Sequence, residues 1–221
     1  MIIILREVSM LKQLTYFGHS CFRIEAMNGW IGVTDPYRDS SVPGLKLPVL
    51  EADDVFCSHE HADHNGKENV KLRSPGIENP YSVKTVLTDH DDKGGSLRGK
   101  NNVLILSAGD EKIVHLGDIG CIPSAEVLEP MKHADILMIP CGGFYTIGAE
   151  EAKNLIDLLE PKLAVLMHFR SGSQGYDVLA SKKEICHEIP GTITVEDCSV
   201  RIGQYEGIVI LEPHPDAVQN G

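Results

Sequence analysis

Residues 58–64 read Ser-His-Glu-His-Ala-Asp-His, which places His59, His61, Asp63 and His64 within six positions. Imidazole and carboxylate groups bind transition metals or orient a water bound to one. In an extended backbone, side chains two apart project to the same face, so His59 and His61 are expected to reach one ion together. A turn after them would let Asp63 and His64 address a second ion. That spacing suits a two-metal hydrolytic centre, in which ions about 3.5–4 Å apart share one hydroxide.

Such a centre needs further ligands, and three residues at the ends of apolar, strand-like runs can supply them. His90 follows Val83–Leu87, Asp118 follows Ile113–Leu116, and His168 ends Leu163–Met167. Gly117 and Gly120 flank Asp118 and let the backbone approach an ion closely. The expected set is His59, His61 and His90 for one ion and Asp63, His64 and His168 for the other, with Asp118 bridging. Glu60, Asp63, Asp89, Asp91, Asp92 and Asp118 cluster near this centre. Without cations they would repel one another.

The 221 residues are ample for a sizeable core, and no composition break marks a linker, so one domain over 1–221 is expected. Apolar and charged contents of 42% and 24% are ordinary for a soluble protein. The apolar runs are far too short to span a membrane. The start, Met1-Ile-Ile-Ile-Leu5, is broken at once by Arg6 and Glu7 and lacks the features of a signal peptide. Met10 is an alternative start, which would make residues 1–9 an extension. Six cysteines without C-x-x-C spacing fit reduced thiols in a cytoplasmic protein. Cys57 and Cys141 lie close enough to the motifs to line the site. The net charge of −12 argues against a nucleic-acid footprint. It still allows an anionic small-molecule substrate, because bound cations dominate the field inside a metal site.

Short β-rich runs dominate the first half: 13–17, 21–25, 30–34, 54–57, 83–88, 103–107 and 112–116, separated by turn signals such as Asn28-Gly29 and Gly109-Asp110. In the second half, 150–160 carries Ala152, Leu155, Ile156 and Leu159 at helical spacing and ends at Pro161. Shorter helices are expected over 124–131 and 178–187. Strands are expected over 135–139, 163–167, 192–195 and 207–211. The stretch 67–80 reads as a surface excursion. Many strands with interspersed helices suggest two packed sheets flanked by helices.

Ser-His-x-His-x-Asp-His, then a strand-end His, a Gly-Asp and a late His, resembles the ordered ligand set of the metallo-β-lactamase superfamily over roughly residues 10–207. Tyr16-Phe-Gly-His-Ser20, Thr34-Asp-Pro36 and Ile139-Pro-Cys-Gly-Gly-Phe-Tyr-Thr-Ile-Gly148 look like the cytosolic metal-dependent hydrolases related to L-ascorbate-6-phosphate lactonase. The resemblance implies an α+β fold, an αββα sandwich of two mixed sheets with the metals at one edge between them. It also implies the ligand roles given above. His61, where di-iron oxygen- and nitric-oxide-reducing relatives carry Glu, counts against an iron oxidoreductase. The absence of an added nucleic-acid-binding arm disfavours a tRNA-processing nuclease.

Around the ligands, His19 is expected as an outer hydrogen-bond partner or proton donor, and Asp35 as the group that holds a ligating imidazole by its other N–H. Tyr145 and Thr146 are candidate substrate contacts. Arg98, Lys100 and Arg170 are candidate receivers of a phosphate or carboxylate. The expected chemistry is hydrolysis of a lactone or phosphoester in a small polar molecule, with two Zn2+ and Asp63 orienting the water. Mn2+ or Fe2+ would suit the same donors. An iron-dependent oxidoreductase and a metal-retaining protein without turnover are the alternatives.

Overall fold

The structure, a computed structural model, describes residues 9–219. The proposed extension over 1–9 therefore falls, Ser9 apart, outside the described residues. Among the described residues, fourteen strands run in chain order as β1 (Leu11–Gly18), β2 (Cys21–Ala26), β3 (Ile31–Thr34), β4 (Leu50–Ala52), β5 (Asp54–Phe56), β6 (Val70–Leu72), β7 (Ser82–Asp89), β8 (Lys100–Ala108), β9 (Glu111–His115), β10 (Ile136–Pro140), β11 (Leu163–Met167), β12 (Ile193–Val195), β13 (Ser199–Val200) and β14 (Gly207–Leu211). The helices are α1 (Ala125–Leu128), α2 (Ala149–Leu159) and α3 (Lys182–Glu188).

Two mixed sheets form the body. A five-stranded sheet has the order β13-β1-β2-β3-β5, and a seven-stranded sheet the order β12-β14-β11-β10-β9-β8-β7. Period-2 alternation in the first sheet builds two cores at once. Leu14, Tyr16, Phe22 and Ile24 join the large apolar cluster shared with the second sheet. Phe17, Cys21, Ile31 and Val33 face the other way, into a smaller cluster with Tyr37, Leu45, Leu50 and Val70. Gly32 is where β3 makes room for the indole of Trp30: a Cβ there would stand 2.9 Å from Trp30 Cζ2. Trp30 is fully buried, and its Nε1–H donates to Asp54 Oδ2 at 2.7 Å.

Parallel β10 and β11 are buried along their whole length, which explains their unbroken apolar reading. The helix α2 is the crossover between them. Its buried Ala152, Leu155, Ile156 and Leu159 belong to the same cluster as the strands. Glu160 ends it in the left-handed region at φ 48°, just before Pro161. The α+β two-sheet sandwich is thus as expected. Among the described residues, the outer face of the five-stranded sheet is covered by the segment after β3, the β4–β6 ribbon and a 3₁₀ turn at Pro215–Ala217.

Three local expectations change. The helix expected over 178–187 begins only at Lys182, because Ser181 caps it: its Oγ accepts from Glu184 N, and the Glu184 carboxylate accepts from Ser181 N at 2.7 Å. The excursion 67–80 contains β6, paired with β4, and both are too short to show periodicity. The two-residue β13 is likewise invisible in sequence and is recruited by β1 through Leu14–Val200 pairing.

Candidate metal centre

The site lies where strand ends of both sheets meet. From the five-stranded sheet come the β1–β2 turn (His19), the end of β3 (Asp35) and the segment after β5 (residues 57–64). From the seven-stranded sheet come the residues after β7 (His90), β9 (Asp118) and β11 (His168). The two edges are stitched directly: His168 N–H donates to His19 O at 2.8 Å, and Asn102 N–H to Ser58 O at 2.9 Å.

The 58–64 motif is not extended. The chain bends through 58–61 and turns over 62–64, with His64 N–H and Asn65 N–H both donating to His61 O at 3.0 Å. The rings of His59 and His61 nevertheless come together, 4.5 Å apart and nearly perpendicular, because the bend replaces strand alternation in aiming them. His59, His61 and His90 offer nitrogen atoms to one point, and His19, His64 and His168 nitrogens with an Asp63 carboxylate oxygen gather at another. His59, His64 and Asp118 form a third group between the two.

Asp118 stands at the centre. Its Oδ2 lies 3.1 Å from His64 Nε2, 3.1 Å from His168 Nε2 and 3.5 Å from His90 Nε2. Burial opposes its ionisation, but His168 and His64 beside it hold the carboxyl well below the usual range. Its backbone is fixed by Asn101, whose Oδ1 accepts from Asp118 N at 2.9 Å while its Nδ2 donates to Leu116 O at 2.8 Å. Gly117, at φ +57°, leaves the space that Asn101 and Ser58 occupy: a Cβ would overlap Asn101 Oδ1 and stand 2.6 Å from Ser58 Cβ.

Asp35 organises the imidazoles. It is buried, at φ 42°, a left-handed conformation that Asp tolerates better than most residues. Oδ1 accepts from Ser58 N at 2.7 Å, and Oδ2 accepts from Ser58 Oγ at 2.7 Å and from His64 Nδ1–H at 2.8 Å. Because Ser58 gives its only hydroxyl proton to Asp35, its Oγ must accept from His59 Nδ1–H, 2.9 Å away. Both rings are therefore held as Nδ1–H tautomers, with Nε2 turned inward.

This arrangement fits a cation. Among the described residues, buried side-chain atoms without a hydrogen-bond partner gather here, including His59 Nε2, His64 Nε2, His168 Nε2 and Asp118 Oδ1. A neutral His64 would aim a lone pair at the Asp118 carboxylate, an arrangement that only a proton or a metal ion between them makes favourable. Accordingly, although burial opposes the charge, Asp118 and Asp35 raise the His64 pKa well above the ordinary value. Metal–ligand bonds of about 2.0–2.2 Å at ordinary angles put ligand atoms about 3.0–3.4 Å apart, and the separations around Asp118 lie at or near that range.

Around these donor groups, the structure sorts the remaining candidates. A cleft of about 250 Å3 opens on the centre and is lined by His61, Asp63, His90 and Asp118 together with Arg98, Tyr145 and Tyr176. Arg98 stacks over Tyr145, its Cζ 5.6 Å from the ring centroid. Asp91 is not a ligand: its carboxylate accepts from the backbone N–H groups of Lys93, Gly95, Leu97 and Arg98 at 2.8–3.0 Å. Burial works against its charge, yet these four donors bring its pKa down to about 2. Asp92 pairs with exposed Lys93, so His90 alone of that trio points into the centre.

Lys100 and Arg170 do not line the cleft. Lys100 pairs with Asp89 on the surface, and Arg170 lines a separate pocket beside α3. Thr146 turns away and donates to Ile147 O. Cys57 and Cys141 join none of the ligand groups. Burial pushes the Cys57 thiol up to about 12 and also raises Cys141, which lies against Met167 O.

Four contributors went unassigned in the sequence. Tyr176 places its hydroxyl 2.6 Å from Ser41 O and 3.3 Å from Asp63 Oδ2. His115 bridges the sheets, donating Nε2–H to Ser20 O at 2.9 Å and accepting from Gly117 N. Ser58 stood inside the quoted motif, and His115 three residues before Asp118, so their positions were signals. Asn101 and Tyr176 carried none.

A two-sheet sandwich with paired His/Asp clusters along one edge defines the metal-dependent hydrolases of the metallo-β-lactamase superfamily. The chain belongs to that superfamily: the family model of the beta-lactamase superfamily domain matches residues 13–168. It is similar to UPF0173 metal-dependent hydrolases of Staphylothermus marinus (27% identical, over 72% of this chain and 83% of the relative) and Methanosphaera stadtmanae (27% identical, over 83% and 95%). Among solved structures it resembles a Thermotoga maritima protein assigned to the zinc-dependent hydrolases of the superfamily. That match is 28% identical with a TM-score of 0.67 and covers 90% of this chain and 97% of the other.

Proposed function

We propose that this metal-dependent hydrolase cleaves an ester-like bond, a lactone or a phosphoester, in a small polar substrate, using two zinc ions. His59, His61 and His90 would hold one ion and Asp63, His64 and His168 the other, with Asp118 between them. Mn2+ and Fe2+ are accommodated by the same donors. The observation that carries this reading is the convergence of both His groups on the single buried carboxylate of Asp118.

Bound at these positions, the ions would supply Lewis acidity to the scissile oxygen and a water acidified toward neutral pH. Asp63 is the half-buried carboxylate in the cleft best placed to orient that water. His19 Nε2 lies 3.1 Å from one of its oxygens, which leaves the other facing the cleft. No serine or cysteine lines the cleft among the described residues, so no side-chain nucleophile competes for the role. The cleft is sized for a small molecule, and Arg98, its one lining cation, would meet an anionic group on the substrate. The net charge of −12 favours such a partner over nucleic acid or an anionic membrane, and no described helix is long and apolar enough to cross a membrane. A cytoplasmic location and kinship with L-ascorbate-6-phosphate lactonase are part of the same proposal.

The test is metal analysis of the natively purified protein joined to a hydrolysis panel of lactones, phosphodiesters, phosphomonoesters and thioesters. Turnover that is lost on chelation, returns with Zn2+ and is severely reduced in Asp63→Ala is the expected result. Full activity in metal-stripped protein would overturn the proposal.

A further inference from the structure

The position of His19 goes beyond the ligand set proposed above. It is buried, at φ 54° in a conformation non-glycine residues rarely adopt, and it follows Gly18 at φ +96°. His168 shares the same strained region at φ 55°. Two ties fix His19 there: its carbonyl accepts from His168 N at 2.8 Å and from the Tyr16 hydroxyl at 3.2 Å. The two imidazoles are thereby brought to 4.0 Å between ring centroids. A ring nitrogen of His19 lies within one ligand shell of Asp63, His64 and His168 atoms. Its 3.1 Å separation from Asp63 Oδ2 is that of two ligands at adjacent positions on one ion.

Building on the two-ion reading, we infer that His19 is itself a ligand of the second ion. That ion would then be enclosed by His19, Asp63, His64, His168 and the shared Asp118, of which all but Asp63 are buried. The first ion would be held by His59, His61 and His90, with His61 exposed in the cleft. The pair is asymmetric: a closed site that fills first and an open site that faces substrate.

The test is a Co2+ titration of metal-free protein, followed by visible absorption and by the paramagnetically shifted imidazole N–H resonances. The wild type is expected to take up two equivalents, the first at least ~10-fold tighter than the second. His19→Ala should lose a shifted ring resonance and weaken the first equivalent by more than ~100-fold, beyond the 10–100-fold that loss of an outer hydrogen-bond partner gives. His61→Ala should weaken the second equivalent instead. A crystal structure of the Zn2+-loaded wild type reads the same bond without relying on a variant, with Nε2 expected about 2.0–2.1 Å from the ion. A His19 ring outside bonding distance, or a His19→Ala protein with unchanged first-equivalent affinity, would overturn the inference and leave the two-ion reading standing. A wild type that takes up no metal would overturn both.

Discussion

Asp35→Asn tests whether the tautomers of the histidines are set from outside the ligand sphere. The substitution is nearly isosteric, and Asn tolerates the left-handed backbone at φ 42°, so the fold should be retained. The carboxylate accepts three hydrogen bonds, from Ser58 N, Ser58 Oγ and His64 Nδ1–H. An amide that keeps its oxygen on Ser58 N turns its NH2 toward His64. His64 must then accept at Nδ1 and carry its proton at Nε2, the atom facing Asp118 at 3.1 Å. Metal binding through Nε2 would first require that proton to leave. Loss of such an orienting partner costs about 10–100-fold in affinity, or ~1.4–2.8 kcal/mol. Competition titration with a chromophoric chelator should show one of two ions weakened by that factor. Two ions bound with wild-type affinity would refute the tautomer reasoning.

Gly117→Ala places a Cβ against Asn101 and Ser58 at a positive φ. It should cost about 2–4 kcal/mol, read as a fall in the thermal midpoint, whereas an unchanged midpoint would show that the loop yields freely. In the metal-free protein burial keeps His19 and His59 neutral down to about 4 and about 3, while the unfolded chain protonates these residues near 6.5. The unfolded state therefore binds more protons between pH 6.5 and 4, and stability should fall with pH across that window by roughly 1.4 kcal/mol per unit for each residue. Urea titrations giving the same stability at pH 6.5 and 4.5 would contradict this. Arg98→Ala should raise KM for an anionic substrate from the hydrolysis panel about 10–100-fold with little change in kcat. Equal effects on anionic and neutral substrates would remove Arg98 from recognition.

The regular elements were legible wherever one face or both had to be buried. The runs at β10 and β11 are continuous because both faces are covered, and the α2 pattern repeats at helical spacing because one stripe is. The three-residue strands β4 and β6 and the two-residue β13 were not legible, since their pairing comes from neighbours and not from their own periodicity. In the site, histidines and aspartates could be read as a set because few other roles place that many donors in one loop. The division of labour among His90, Asp91 and Asp92 could not be read. It depends on four backbone N–H groups that the 91–99 loop turns onto Asp91.

The sequence by itself determined which chemical groups are present and that they sit at the ends of buried strands, because burial patterning and donor identity are local properties. Only the tertiary structure decided which imidazole meets which carboxylate. His19 and His168 are separated by most of the chain yet touch through one backbone hydrogen bond between two sheets. Asp118 collects His64, His90 and His168 from three different strand ends. Such convergence is fixed by how the two sheets pack and by strained turns at Gly18 and Gly117, and that information belongs to no single stretch of sequence.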